Sequence, residues 1–118
     1  MAIHIETGKE GEELAENYLV KNGFKILHRN WRFSHYEIDM IALKNEIPHF
    51  IEVKFRKTRA FGPPEESVTK KKINSLLQAA NEFMYRNAKY SDFRIDILSI
   101  TTYPNMETEY LLIEDIYL

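Results

Sequence analysis

Apolar positions recur with helical spacing in two segments of the chain, and each segment has its own start or stop signals. The first helix is expected to begin at a capping box formed by Thr7 and Glu10 and to end at Gly23. The second is expected to begin after Thr69, whose hydroxyl can cap free amide hydrogens. The apolar stripes are Leu14, Ala15, Tyr18 and Leu19 in the first helix, and Ile73, Leu76, Leu77, Ala80, Phe83 and Met84 in the second.

Five other segments are typical of β-strands, namely residues 24–33, 36–43, 49–56, 93–100 and 109–116. Asn45 and Pro48 indicate a turn over residues 44–48, so the second and third strands are expected to form an antiparallel hairpin. A Gly-Pro-Pro run makes residues 57–67 a connection that is neither helix nor central strand. The order predicts an α/β fold: a mixed sheet with a central antiparallel hairpin, flanked by helices, in a single domain over residues 1–118.

Composition narrows the class of protein further. The 118 residues are 44% hydrophobic and 29% charged, as in an ordinary folded domain. The sequence contains no cysteine, which excludes disulfides, cysteine zinc sites and thiol nucleophiles. It contains no apolar run long enough to cross a membrane and no secretion signal, so a cytoplasmic protein without a membrane partner is expected. The four histidines lack metal-ligand spacing and are expected at the surface or at strand ends.

Charge is segregated along the chain although the net charge is only −2. Residues 54–72 carry seven basic and two acidic side chains, whereas residues 92–118 carry one basic and six acidic side chains. Such a run is either a solvated face or a surface for phosphate groups. The basic segment begins inside the third predicted strand, so the side chains of that strand decide between these alternatives.

The predicted hairpin carries the candidate chemistry. With a turn over residues 44–48, Asp39 pairs near Val53 or Lys54, and the carboxylates of Asp39 and Glu52 come within reach of one small ion. The period of two also places Glu37 beside Asp39 on one face, with Tyr36, Ile38 and Met40 on the other. Two carboxylates and a carbonyl oxygen suit Mg²⁺ or Mn²⁺. The alternative is a simple cross-strand ion pair with Lys54.

The chain resembles the YraN-like family of small bacterial proteins over residues 8–97. The matching segments include Gly8-Lys9-Glu10-Gly11-Glu12, Arg29-Asn30-Trp31-Arg32, Glu37-Ile38-Asp39-Met40-Ile41-Ala42 and Phe50-Ile51-Glu52-Val53-Lys54, with Lys72, Arg94 and Asp96 beyond them. One position departs from the family, which usually has glycine where Tyr36 stands. The helix–strand–strand order with its Glu-x-Lys motif also resembles the PD-(D/E)xK nuclease superfamily, including archaeal Holliday-junction resolvases.

The resemblance implies roles for individual residues of the hairpin and first helix. Asp39 and Glu52 would be ligands of Mg²⁺ or Mn²⁺, and Lys54 would be the catalytic lysine. Glu12 would be the first-helix acid that reaches the metal or its water. Glu37 would contact the ligand side chains and not the metal itself.

The resemblance also gives the basic residues a use. Arg56, Arg59 and Lys72 would hold phosphates on either side of the cleaved bond. The first function hypothesis is therefore a metal-dependent endonuclease acting on DNA, including branched or damaged DNA, and a homodimer is expected by analogy with resolvases. A nucleic-acid-binding module without turnover and a protein-interaction domain are the two alternatives.

Overall fold

The computed structural model describes residues 2–57 and 69–116, with side chains from residue 9 onward. The elements are α1 (Ala2–Lys21), β1 (Lys25–Phe33), β2 (Tyr36–Lys44), β3 (Ile47–Arg56), α2 (Lys70–Arg86), β4 (Arg94–Tyr103) and β5 (Met106–Ile113). Their order is the expected one, and the α/β fold class is confirmed.

The strands form one five-stranded mixed sheet in which spatial order follows the chain, β1-β2-β3-β4-β5. The hairpin of β2 and β3 is antiparallel and central. β3 and β4 run parallel, whereas β1 with β2 and β4 with β5 are antiparallel. Because parallel neighbours need a long crossover, α2 lies between β3 and β4 in the chain.

The two helices cover opposite faces of the sheet. α1 buries Ala15 against a cluster that includes Ile51, and α2 buries Leu76 in a second cluster that includes Phe50. Successive residues of a strand point to opposite faces, which is why Phe50 and Ile51 belong to different clusters. The face of α1 and the face of α2 are therefore the two surfaces on which site residues can lie.

The bounds of α1 correct one prediction and confirm another. The helix begins at Ala2, so the expected start at the Thr7 capping box was wrong. No proline or other helix-breaking residue separates Ala2 from Thr7, and the helical backbone simply continues through this segment. The expected stop is confirmed, because Gly23 has a φ of 90° and the Phe24 N–H donates back to the carbonyl of Leu19.

The turn of the central hairpin is tighter than expected. It consists of Asn45 and Glu46 alone, with φ of 52° and 66°, as a two-residue hairpin turn requires. Met40 consequently pairs with Ile51, and beyond this pair the Val53 N–H donates to Asp39 Oδ2. Asp39 thus lies next to Val53, as the sequence predicts, although the turn is shorter than the predicted 44–48.

Strand β2 does not keep one alternation along its length. Ile38 packs on the α2 face whereas Met40 packs on the α1 face, so the prediction that they share a face was wrong. The β1–β2 ladder lacks a pair between Arg29–Met40 and Trp31–Ile38, where Asn30 has a φ of 50°. The irregular backbone at Asn30 and the adjoining change of face in β2 both occur beside Asp39.

The last strand also differs from its prediction. β5 begins at Met106, directly after the turn, and ends at Ile113 instead of continuing to residue 116. Asp115 has a φ of 57°, which is incompatible with an extended strand. The predicted cap of α2 is confirmed, since the Lys72 N–H donates to Thr69 Oγ1 over 3.1 Å.

Candidate active site

Asp39 and Glu52 lie on adjacent strands at the centre of the sheet. Glu52 is 5% exposed, and the Val53 N–H donates to Asp39 Oδ2 over 2.8 Å. This bond ties the Asp39 carboxylate to β3, so the two carboxylates approach each other across the pair of strands. Their proximity depends on the two-residue turn, which sets the register of β2 and β3.

The electrostatics of Asp39 reflect this crowding. Burial first, and then the negative charge of Glu52, raise the pKa of Asp39 to about 7 from its ordinary value of 3.8. The Val53 N–H and the charge of Lys72 act in the opposite direction. Two carboxylates this close repel each other when both are ionised, so they share a proton or bind a cation.

Two lysines converge on one oxygen of Glu52. Lys54 Nζ lies 3.6 Å from Glu52 Oε2, and Lys72 Nζ lies 3.4 Å from the same atom. The other oxygen, Glu52 Oε1, is buried and has no hydrogen-bond partner within the described part of the chain. A buried acceptor without a partner is costly, and it marks the direction in which a ligand of Glu52 would bind.

The helix cap positions Lys72. Thr69 has extended backbone angles, φ −108° and ψ 160°, and its hydroxyl oxygen accepts from the N–H of Lys72. This hydrogen bond fixes the first turn of α2 and therefore the Cα from which Lys72 extends. The sequence placed Lys72 among phosphate-binding residues, and nothing in its pattern indicated that it contacts Glu52.

Glu12 of α1 does not join Asp39 and Glu52 in a set of ligands within the described residues. Its carboxylate accepts a hydrogen bond from the side-chain amide of Asn30, the residue in the gap of the ladder beside Asp39. Among the described residues, no group of three histidine or acidic side chains is arranged to hold a metal ion. The structure thus brings Asp39 and Glu52 together and leaves Glu12 bound to Asn30.

The remaining predicted residues lie in three different situations. Glu37 is 3.7 Å from the guanidinium of Arg32, its partner across β1 and β2. Arg56 is the last residue of β3, and strand alternation places it on the face of Glu52 and Lys54. Arg59 lies outside the described residues.

Tyr36, which stands where the family usually has glycine, begins β2 opposite Phe33. Its ring centroid lies 6.4 Å from that of Phe33 and 4.1 Å from that of His35. The side chain is partly buried against the α2 cluster, so it helps to pack the start of β2.

Ser99 is a polar neighbour of the site that sequence reasoning missed. The parallel register pairs Ser99 of β4 with Lys54 of β3, and strand alternation puts both on the α2 face. Ser99 is buried, and its hydroxyl has no hydrogen-bond partner in residues 2–57 and 69–116. The available signal was a serine inside the apolar run of residues 95–100.

A buried pair of His49 and Asp96 lies on the α1 face of β3 and β4. His49 Nδ1 is 2.6 Å from Asp96 Oδ2, and Asp96 Oδ1 accepts from the N–H of Asp115. His49 is 7% exposed, so the expectation that the histidines are at the surface or at strand ends was wrong for this one. Because both oxygens of Asp96 have partners, the pair ties β3, β4 and the segment after β5 together.

The donor set of Asp39 and Glu52 fits a hard divalent cation. Carboxylate oxygens are the ligands that Mg²⁺ and Mn²⁺ prefer, and Glu52 Oε1 offers a buried oxygen with no other partner among the described residues. Such an ion would also relieve the repulsion that raises the pKa of Asp39.

The sequence of the chain is similar to those of a known class of bacterial proteins. The sequence profile of the uncharacterised protein family UPF0102 matches residues 11–100, and the chain belongs to that family. A UPF0102 protein of Flavobacterium psychrophilum is 41% identical over 100 residues, covering 85% of this chain and 84% of the relative. One from Phocaeicola vulgatus is 42% identical over 101 residues, covering 85% and 83%.

Another relative extends over nearly the whole length. A UPF0102 protein of Parabacteroides distasonis is 38% identical over 122 residues, covering 99% of this chain and 96% of the relative. The expected membership of the YraN-like family is thereby confirmed. Neither helix in the described part of the chain is long and apolar enough to cross a membrane.

Proposed function

We propose that this protein is a metal-dependent endonuclease of the PD-(D/E)xK superfamily that hydrolyses phosphodiester bonds in DNA, including branched or damaged DNA. The observation that carries the proposal is the pair of carboxylates from adjacent strands, one of which has a buried oxygen without a partner in residues 2–57 and 69–116. The raised pKa of Asp39 supports it, because an acidic pair of this kind is adapted to bind a cation.

Asp39 and Glu52 would hold Mg²⁺ or Mn²⁺. The bound ion would supply positive charge to the scissile phosphate as its negative charge increases during attack. Lys54 remains within 3.6 Å of Glu52, where its ammonium can donate to the attacking water and orient it toward phosphorus. Water attacks phosphorus and gives up a proton as the new P–O bond forms, the bond from phosphorus to the leaving oxygen breaks, and the leaving oxygen takes up a proton.

The basic residues around the carboxylates would bind the DNA backbone. Lys72 lies in the first turn of α2 beside Glu52, and Arg56 follows Lys54 on the same face of β3. Arg59 is proposed for the same role from its place in the sequence. Phosphate contacts of this kind set the register of the substrate without reading its bases.

A nucleic-acid-binding module without turnover is the second candidate. The observation that favours it is that Glu52 already has two ammonium partners, so its charge is balanced without a metal. The cytoplasmic location, the homodimer and the single domain over residues 1–118 stay predictions.

A cleavage assay separates the two candidates. Duplex, single-stranded, flapped and four-way-junction DNA would be incubated with Mn²⁺ and with wild type, Asp39→Asn, Glu52→Gln or the exposed control Glu107→Gln. We expect wild type and the control to cut at least one substrate and the two site variants to cut none. DNA binding without cleavage by wild type would favour the binding module.

A further inference from the structure

We infer that Lys72 is the internal counter-ion of the metal-free site, and that it must leave Glu52 when a divalent cation binds. This inference rests on the proposed function, since it concerns metal entry into the same site. Lys72 Nζ is 3.4 Å from Glu52 Oε2, slightly nearer than Lys54 Nζ at 3.6 Å. The ammonium therefore lies on one oxygen of the carboxylate whose other oxygen, Oε1, would bind the cation.

The burial of the two partners makes Lys72 the one that moves. The side chain of Glu52 is 6% exposed, and a buried carboxylate without a counter-charge is strongly unfavourable. The side chain of Lys72 is 42% exposed, compared with 29% for Lys54. Its ammonium can consequently withdraw into water at small cost, while Lys54 remains beside Glu52.

The helix cap confines this movement to the side chain. Thr69 holds the backbone of Lys72 by the N–H to Oγ1 bond, so the Cα stays in place when the ammonium leaves. From a fixed Cα, the released ammonium stays close to the carboxylates. It can then contact the phosphate of a bound substrate, because that phosphate must lie next to the cation.

This arrangement couples metal binding to substrate binding. A divalent cation on Glu52 Oε1 and the Lys72 ammonium on Oε2 of the same carboxylate repel each other, so Lys72 weakens metal binding in the free protein. A substrate phosphate gives the displaced ammonium a new partner and removes that penalty. Because coupling between two ligands is reciprocal, DNA should raise metal affinity and metal should raise DNA affinity by the same factor.

The test is a calorimetric titration of Mn²⁺ into the metal-free wild type, Lys72→Met and Lys71→Met. The matched control is Lys71→Met, which removes the same charge from the same helical turn. No ion pair joins Lys71 to Glu52 in the described residues. We expect Lys72→Met to bind Mn²⁺ about tenfold more tightly than wild type, and Lys71→Met to change affinity less than about twofold. Lys72→Gln is a second variant, and thermal unfolding checks that each is folded.

A second titration with a phosphorothioate DNA duplex measures the coupling. We expect the duplex to increase the Mn²⁺ affinity of wild type and to increase that of Lys72→Met much less. Equal Mn²⁺ affinities for wild type and both Lys72 variants would overturn this inference and leave the proposed function standing. Mn²⁺ binding by the Lys72 variants and not by wild type would support the inference strongly. No Mn²⁺ binding by wild type or by either variant would contradict the inference and the metal-dependent function together.

Discussion

At the scale of single residues, Glu52 is the most informative side chain. A glutamate inside the apolar run Phe50-Ile51-Glu52-Val53 predicted a buried carboxylate with partners, and the structure has it 5% exposed between two lysines. The sequence could not indicate that Lys72 would be one of these partners. That contact depends on how α2 packs on the sheet, which no local pattern encodes.

Asp39 should make the stability of the metal-free protein depend on pH. Its pKa is raised to about 7 in the folded state, so the native protein binds this proton more tightly than the unfolded chain. The associated stability is present in full below about pH 4 and is lost as the pH rises through 7. We expect the free energy of unfolding to fall by on the order of 3 kcal/mol between pH 4 and pH 8.

Urea unfolding of wild type and Asp39→Asn in the presence of a chelator measures this dependence. The asparagine stays neutral, so the variant should lose much less stability over the same range. The exposed Glu46→Gln is the control and should follow wild type. Identical pH profiles for wild type and Asp39→Asn would show that Asp39 keeps an ordinary pKa.

Lys54 should affect turnover far more than DNA binding. Its ammonium lies 3.6 Å from Glu52 and can orient water, whereas one phosphate contact among many contributes little to affinity. We expect Lys54→Ala to lower the cleavage rate by about 10² to 10⁴. Single-turnover cleavage and a binding titration on the same DNA measure both effects, with the exposed Lys57→Ala as the control, and an equal loss of both would assign Lys54 to substrate binding alone.

At the scale of elements, the long periodic segments were predictable and the short-range geometry was not. The apolar stripe of α2 and the Thr69 cap gave that helix correctly. The sequence pattern did not anticipate a turn of only Asn45 and Glu46. A strict period of two also did not predict that Ile38 and Met40 face opposite sides of the sheet. This change of face occurs beside the irregular backbone at Asn30.

Gly11 should be required for α1 to lie on β3. A Cβ at this position would be 2.9 Å from the Cβ of Phe55, which is not the free end of a flexible side chain. Although alanine favours helix more than glycine does, we expect Gly11→Ala to destabilise the fold by about 1–3 kcal/mol in urea unfolding. Asn17→Ala, at an exposed position of the same helix, is the control and should be neutral or stabilising. A Gly11→Ala protein as stable as wild type would mean that α1 packs less closely than described.

At the scale of the whole molecule, the fold brings Lys54 and Lys72, from the two ends of the basic segment 54–72, to the carboxylate of Glu52. Arg56 lies two residues beyond Lys54 on β3, and α2 begins with three lysines, of which Lys72 contacts Glu52. The acidic segment after residue 92 contributes β5 at the opposite edge of the sheet from β1.

Removing two arginines should weaken DNA binding at every sequence. Each phosphate contact releases condensed counterions, so affinity and its salt dependence fall together. We expect Arg56→Ala with Arg59→Ala to lower the slope of log affinity against log salt by about 2. Binding at two salt concentrations measures it, with Arg32→Ala of β1 as control, and an unchanged slope would remove these residues from the interface.

The most direct test of the central claim is a calorimetric titration of Mn²⁺ into wild type, Asp39→Asn and Glu52→Gln, without DNA. Mg²⁺-like ions keep several waters when protein ligands are few, so we expect wild type to bind one Mn²⁺ weakly. Both variants should be folded, as judged by thermal unfolding, and should show no binding. If both variants bound Mn²⁺ as wild type does, Asp39 and Glu52 would not be metal ligands, and the proposed nuclease would have no metal centre.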